Sequence, residues 1–170
     1  MNEFNIRKAE VCDKDIIYNN LKLCSNKMYE EQGLDHWIPV YAVKNIEKDI
    51  KEKIVFVIEY NNNIIGNFTL NNSLNDLWKQ NEYYNKIDKC IYVSKLCIIP
   101  EYSRHGLGKK CMEFIEKYAK DNSYKYVCLD VYDKAIHAVK FYKKIEYKVV
   151  GEAKTRRFNV LLMKKDINDE

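Results

Sequence analysis

"LCIIPEYSRHGLGKK" (Leu96–Lys110) holds two of the chain's five glycines, Gly106 and Gly108, two residues apart. An apolar run, Leu96–Pro100, leads into the pair. A helical pattern leads out, with Cys111, Phe114, Ile115, Tyr118 and Ala119 spaced to share one face as far as about Asp121. The stretch therefore reads as a strand, a glycine turn and a helix start. A helix N-terminus presents unpaired N–H groups and about half a positive charge. Glycine there lets the backbone approach an anion closely. Arg104, His105, Lys109 and Lys110 flank the pair, where a helix dipole disfavours each cation by about 0.3–1 kcal/mol. An anionic ligand reverses that sign, so the turn reads as a phosphate cradle. The plainer alternative is a basic surface turn.

Two nucleotide readings fail on the letters. A Walker A loop needs glycine at position 103 and Ser or Thr at 110, where the chain has Ser103 and Lys110. The dinucleotide fingerprint needs Gly or Ala three residues after Gly108, where Cys111 stands.

Outward from this turn, the pattern predicts a first strand at Phe4–Arg7 and a helix from Asp13, its cap, to about Glu31. Ile16, Ile17, Leu21, Cys24 and Met28 would form that helix's apolar stripe. A short helix over Asn45–Glu52 follows. Next comes a hairpin, "KIVFVIEY" and "IIGNFTL", around three asparagines. Asn71–Lys89 is polar and aromatic, with Trp78, Tyr83 and Tyr84, and shows no period. Cys90–Ile99 and Tyr126–Val131 read as strands joined through the helix after the glycines. Lys134–Lys144 reads as a helix, and "YKVVGE" and "FNVLLMKK" as the last two strands. The expected class is α/β with one central mixed sheet and helices on both faces. At 170 residues a single domain, 1–170, is expected.

The net charge of +4 is mild and spread over lysines, which argues against nucleic acid as a partner. The six cysteines lack any C-x-x-C pair and mostly sit in apolar runs. They are expected to be buried small hydrophobes rather than metal ligands or a disulfide frame, so no metal is expected. No apolar leader and no run of about 18 apolar residues occurs. A cytoplasmic protein without a membrane partner is expected.

These residues resemble the Gcn5-related N-acetyltransferase (GNAT) family, whose motif Q/R-x-x-G-x-G/A follows a strand ending in a V-x-P-like step. Here that motif runs Ile98-Ile99-Pro100, then Ser103 to Gly108. "AVKFYKKIEYKVVGE" (Ala138–Glu152) is similar to the family's second motif, an aromatic pair before K-x-G-F/Y. Ser103 departs from Gln/Arg, Ala135 from a frequent asparagine, and Glu146 from the glycine of K-x-G.

The resemblance implies acetyl-CoA as co-substrate and an amine as acceptor. It implies that the backbone of Leu96, Cys97 and Ile98 pairs with the pantetheine arm as an added strand would. Ser103, Arg104, His105, Gly106, Leu107, Gly108 and Lys109 would hold the pyrophosphate. Attack on the thioester forms an oxyanion, for which the N–H near Ile98 is the natural donor. Tyr142 would protonate the departing thiolate. Acids expected on the strand before the motif are absent, because Ser94 and Lys95 stand there, and no base is singled out. His36 and Trp37 would line an acceptor pocket, with Glu30, Glu31 and Asp35 leaning it toward a cationic acceptor. The rival expectation is a module of the same fold that binds acyl-CoA without transferring it. The exposed-looking aromatic segments leave a homodimer open.

Overall fold

The computed structural model describes residues 3–81 and 88–168; Glu82, Tyr83 and Tyr84 lie outside them. Seven strands form, β1 (Phe4–Lys8), β2 (Ile54–Tyr60), β3 (Asn63–Asn71), β4 (Cys90–Ile98), β5 (Tyr126–Tyr132), β6 (Lys148–Lys154) and β7 (Asn159–Asp166). The helices are α1 (Lys14–Gln32), α2 (Val43–Glu52), α3 (Leu107–Asp121) and α4 (Ile136–Lys144). The strand order is β1-β2-β3-β4-β5-β7-β6. β4 and β5 pair in parallel, as strands linked by a helical crossover must. The β1–β2, β2–β3, β5–β7 and β6–β7 pairs are antiparallel. The chain thus has the mixed, mostly antiparallel sheet that its sequence predicts. Among the described residues, no helix is long and apolar enough to cross a membrane.

The chain divides into two compact units, Met1–Leu70 with Ser94–Cys111, and Asn71–Val93 with Met112–Glu170. In the first, Ile17, Leu21 and Cys24 of α1 pack with Ile46, Val55, Val57 and Cys97. Ile16, expected on the same stripe, is exposed. Successive helical residues point 100° apart, so the row through Ile17 turns Ile16 outward. Asp13 occupies the N-cap position of α1, as expected, but its side chain makes no capping hydrogen bond to the helix. Its carboxylate accepts from the Glu10 N–H at 2.8 Å and from the Arg7 guanidinium at 2.8 Å. Arg7 holds that carboxyl below its ordinary pKa.

The β2–β3 turn is tighter than three asparagines suggest. Asn61 and Asn62 take positive φ values of 48° and 64°, the two-residue geometry that suits the strand twist. Asn63 already belongs to β3. Further along, Gly66 lets β4 approach closely, since a Cβ there would be driven into the Cys97 carbonyl oxygen. Asn67 ties the same two strands, donating from Nδ2 to the Lys95 carbonyl at 3.1 Å and accepting from the Cys97 thiol at 3.4 Å.

In the second unit, Trp78 sits in a single 3-10 turn, Trp78–Gln80, and is fully buried with Tyr92, Cys128 and Leu162. Its backbone N–H donates to the Asn75 side-chain oxygen at 3.0 Å. The Gln80 amide then pairs with the β6 backbone, accepting from the Lys154 N–H and donating to the Lys154 carbonyl, both at 2.8 Å. A side chain here does the work of a strand edge, which no hydrophobic period could announce. Five cysteines are buried as expected; Cys12 is exposed.

Candidate active site

β4 pairs with β5 only over Cys90–Val93. From Ser94 onward the strand belongs to the first unit. There the Cys97 carbonyl faces Gly66 of β3, and the Ile99 N–H donates to the Ile65 carbonyl at 2.8 Å. By the two-residue strand period, Leu96 and Ile98 turn their backbone groups to the opposite edge. The Ile98 carbonyl accepts from the Cys24 thiol at 3.2 Å.

The chain then makes one 3-10 turn, Pro100–Tyr102, closed by the Ser103 hydroxyl donating to the Pro100 carbonyl at 2.8 Å. Arg104 and Gly106 take positive φ values of 66° and 74°. Gly106 fits because it lacks the Cβ that makes this conformation costly. The Gly106 carbonyl accepts from the Lys110 N–H at 3.2 Å, the first bond of α3. The amides of Leu107 and Gly108 precede that bond and have no acceptor within the helix. An N-terminus of this kind, with Arg104 and His105 exposed before it, attracts anions. Lys110 leans elsewhere, with Nζ 5.5 Å from the centre of the Phe4 ring.

A cavity of about 460 Å³ joins these parts. Leu96, Cys97, Ile98, Ser103 and Arg104 line one side, and residues from α1, Met28 and Glu31 among them, line the other. Five of the predicted binding residues thus meet in one space. Cys97 is otherwise buried. The rest of the predicted set does not line the cavity. His105, Gly106 and Lys109 are exposed, Gly108 is half-buried, and Leu107 turns its side chain into the core.

Trp37 lines this cavity and also a second one of about 150 Å³, with Leu21, His36, Val40, Tyr41 and Lys95. Burial holds the His36 imidazole below its ordinary pKa, with Asp35 working against it. Lys95 takes a positive φ of 53°. Its ammonium is paired with the buried Asp49 carboxylate and stands 3.7 Å from the centre of the Tyr41 ring. Asp49 also receives Lys53 at 3.0 Å. Of the acids expected near an acceptor, Glu30 and Asp35 are exposed away from both cavities, and Glu31 is paired with Lys27 at 2.7 Å.

In the second unit, Tyr142 lies on α4, half-buried, edge-on to Phe141 and Tyr147 at ring separations of 5.1 and 5.9 Å. The buried Tyr147 donates its hydroxyl to Glu116 at 3.1 Å. Burial raises the Tyr147 pKa, and Glu116 raises it further. A depression of about 590 Å³ in this unit collects Lys117, Lys120, Lys148 and Lys164, but Glu116, Glu146 and Asp166 line it too. With Lys165 also in the lining, five lysines face three carboxylates, and Lys165 is itself paired with Glu116 at 3.1 Å.

Asp130 belongs to none of the motifs in the sequence. It is the first β5 residue beyond the last rung shared with β4, Val93 with Leu129. It is partly buried, and burial pushes its carboxyl up to about 6. The signal was present as one carboxylate inside the apolar run "YVCLDV".

A model of the acetyltransferase (GNAT) family matches residues 17–147. No curated protein matches the sequence. Among solved structures, the chain resembles the ribosomal-protein-S18-alanine N-acetyltransferase from Escherichia coli, with 14% identity, a TM-score of 0.74, and coverage of 97% of this chain and 94% of that one. The PaiA N-acetyltransferase from Thermoplasma acidophilum, in complex with coenzyme A, gives 19%, 0.74, 96% and 99%. The putative acetyltransferase YncA from Salmonella typhimurium, with acetyl-CoA, gives 13%, 0.69, 99% and 96%. At these identities the likeness is one of fold.

Proposed function

Because this chain belongs to the GNAT acetyltransferase family, we propose that it transfers an acetyl group from acetyl-CoA to a primary amine. We read the two units as one catalytic domain, a reading supported by a family match that runs through both. The observation that carries the proposal is the single cavity shared by the Leu96–Ile98 edge and the Ser103–Arg104 turn. It offers strand pairing for an amide-bearing arm beside a cationic helix start for a diphosphate. Bound acetyl-CoA would supply the activated acyl group.

The residues of this chain then have separable tasks. Leu107 and Gly108 bind anionic oxygen through their amides, with Arg104 adding charge. Ile98 offers its N–H to the acyl oxygen, where a fixed donor helps most as negative charge develops. Tyr142 holds a phenolic proton for the leaving sulfur.

The test is a thermal shift with acetyl-CoA, ATP and NAD in parallel. Ligand at about 100 times its dissociation constant adds about 2.7 kcal/mol, which is roughly 5–10 °C for a chain of this length. Acetyl-CoA alone should give the shift, and Arg104→Glu should lose most of it. No shift with acetyl-CoA would overturn the proposal.

One observation favours a second reading, a module that binds acyl-CoA without transfer. Where relatives carry acids, this chain has Ser94 and a Lys95 locked to Asp49. Amine-dependent release of CoA separates the two readings. A Tyr142→Phe variant that binds acetyl-CoA normally should release CoA at least tenfold more slowly.

A further inference from the structure

We propose that the small cavity beside Lys95 is an acceptor subsite for one compact apolar group, so that the amine acetylated carries a ring-sized or branched hydrocarbon body and no second ammonium. This rests on the acetyl-transfer reading above. The amine nitrogen bonds to the acetyl carbon while the carbon–sulfur bond breaks. An amide and the CoA thiol result, and the ammonium gives up two protons, one ending on sulfur and one in solvent.

Size comes first. The cavity measures about 150 Å³, and an engineered apolar cavity of about that volume binds benzene. Leu21, Trp37, Pro39 and Val40 give it apolar walls, and Tyr41 adds a ring. Its imidazole, His36, is kept toward the neutral form by burial.

Position follows from two residues. Trp37 lines both cavities, and Lys95 directly precedes Leu96 on β4. A body seated in the small cavity therefore lies next to the strand edge assigned to the thioester-bearing arm.

Charge decides between amines. Among the described residues lining the cavity, Lys95 alone is a lysine, arginine or carboxylate. Its counter-ion Asp49 is shared with Lys53. Two ammonium groups on one carboxylate leave the site net positive, which repels a second cationic group. Glu31, the acid that could have attracted one, lines the other cavity and is already paired with Lys27.

The experiment measures CoA release by the full chain with phenethylamine, isoamylamine, tryptamine, putrescine and spermidine, alongside calorimetry of acetyl-CoA. Phenethylamine and isoamylamine should exceed the polyamines at least tenfold in kcat/KM. Val40→Trp, which fills the cavity, should raise the phenethylamine KM at least tenfold with acetyl-CoA binding unchanged. Val40→Ala, which enlarges it, should improve tryptamine relative to phenethylamine, a gain that a misfolded variant cannot show. A preference for putrescine or spermidine, or kinetics indifferent to both Val40 variants, overturns the subsite while leaving acetyl-CoA binding intact. Should acetyl-CoA not bind, the transfer reading is what falls. Calorimetry of phenethylamine alone then judges the cavity: binding abolished by Val40→Trp upholds it, and no binding overturns it.

Discussion

The Lys95 ammonium is held by the Asp49 carboxylate from a β4 residue whose φ is +53°. A side chain in that left-handed conformation costs roughly 1–2 kcal/mol, so the pair fastens a strained residue beside the candidate acceptor cavity. Asp49 is 5% exposed. Lys95 and Lys53 are partly exposed, so Asp49→Ala removes charge-assisted hydrogen bonds without burying a bare charge and should destabilise the chain by about 1.5–3 kcal/mol. Urea unfolding measures this. A loss under about 1 kcal/mol would mean that solvent already screens the pair.

Gly66 and Cys97 set how closely β3 and β4 can run. The obstructing atom is a backbone oxygen, which cannot swing aside. Gly66→Ala should therefore cost about 1–3 kcal/mol, and it should weaken acetyl-CoA binding because Cys97 lies between Leu96 and Ile98. Unchanged unfolding and unchanged calorimetry would show that β4 gives way freely.

Asp130 makes stability depend on pH with a definite sign. Its folded value, about 6, lies above the ordinary 3.8, so the folded chain keeps a proton that the unfolded chain has released. The resulting stabilisation is complete below 3.8 and disappears as pH rises through about 6. Above that, folding buries a charge at a cost of up to about 3 kcal/mol. Asp130→Asn should thus gain stability over wild type at pH 8 and gain little at pH 4.

Glu146 stands where the resembling motif has glycine, and it carries a positive φ of 74°. Its carboxylate lies 3.8 Å from Lys165, in an exposed setting, which contributes little. Glu146→Gly should therefore raise stability by about 1 kcal/mol, the conformational penalty outweighing the entropy glycine loses on folding. A higher melting temperature with unaltered acetyl-CoA binding is the expected result.

What could be read from the letters followed the range of the interactions involved. The strand, turn and helix of Leu96–Asp121 were legible because glycine spacing, charge and apolar period all act within a few residues. The meeting of Leu96–Ile98 with Ser103–Arg104 followed from that one local turn. Trp78 could not be placed, since its burial depends on Tyr92, Cys128 and Leu162 from distant segments. Lys95 read only as a missing acid, because its partners Asp49 and Tyr41 lie about 50 residues away in sequence. Asp13 stands at the boundary its position suggests but takes other donors, since a carboxylate able to cap a helix equally well accepts from a nearby guanidinium.

Cys12 is exposed while the other five cysteines are buried. Burial also pushes the Cys111 thiol up to about 12, well away from the thiolate that reacts with disulfides and maleimides. The native chain therefore presents one exposed sulfur, carried on the short turn before α1. A dye or spin label can be fixed there without mutagenesis. The same sulfur sets a background of one equivalent per chain in any colorimetric reading of liberated CoA, so a Cys12→Ser control belongs beside every such trace.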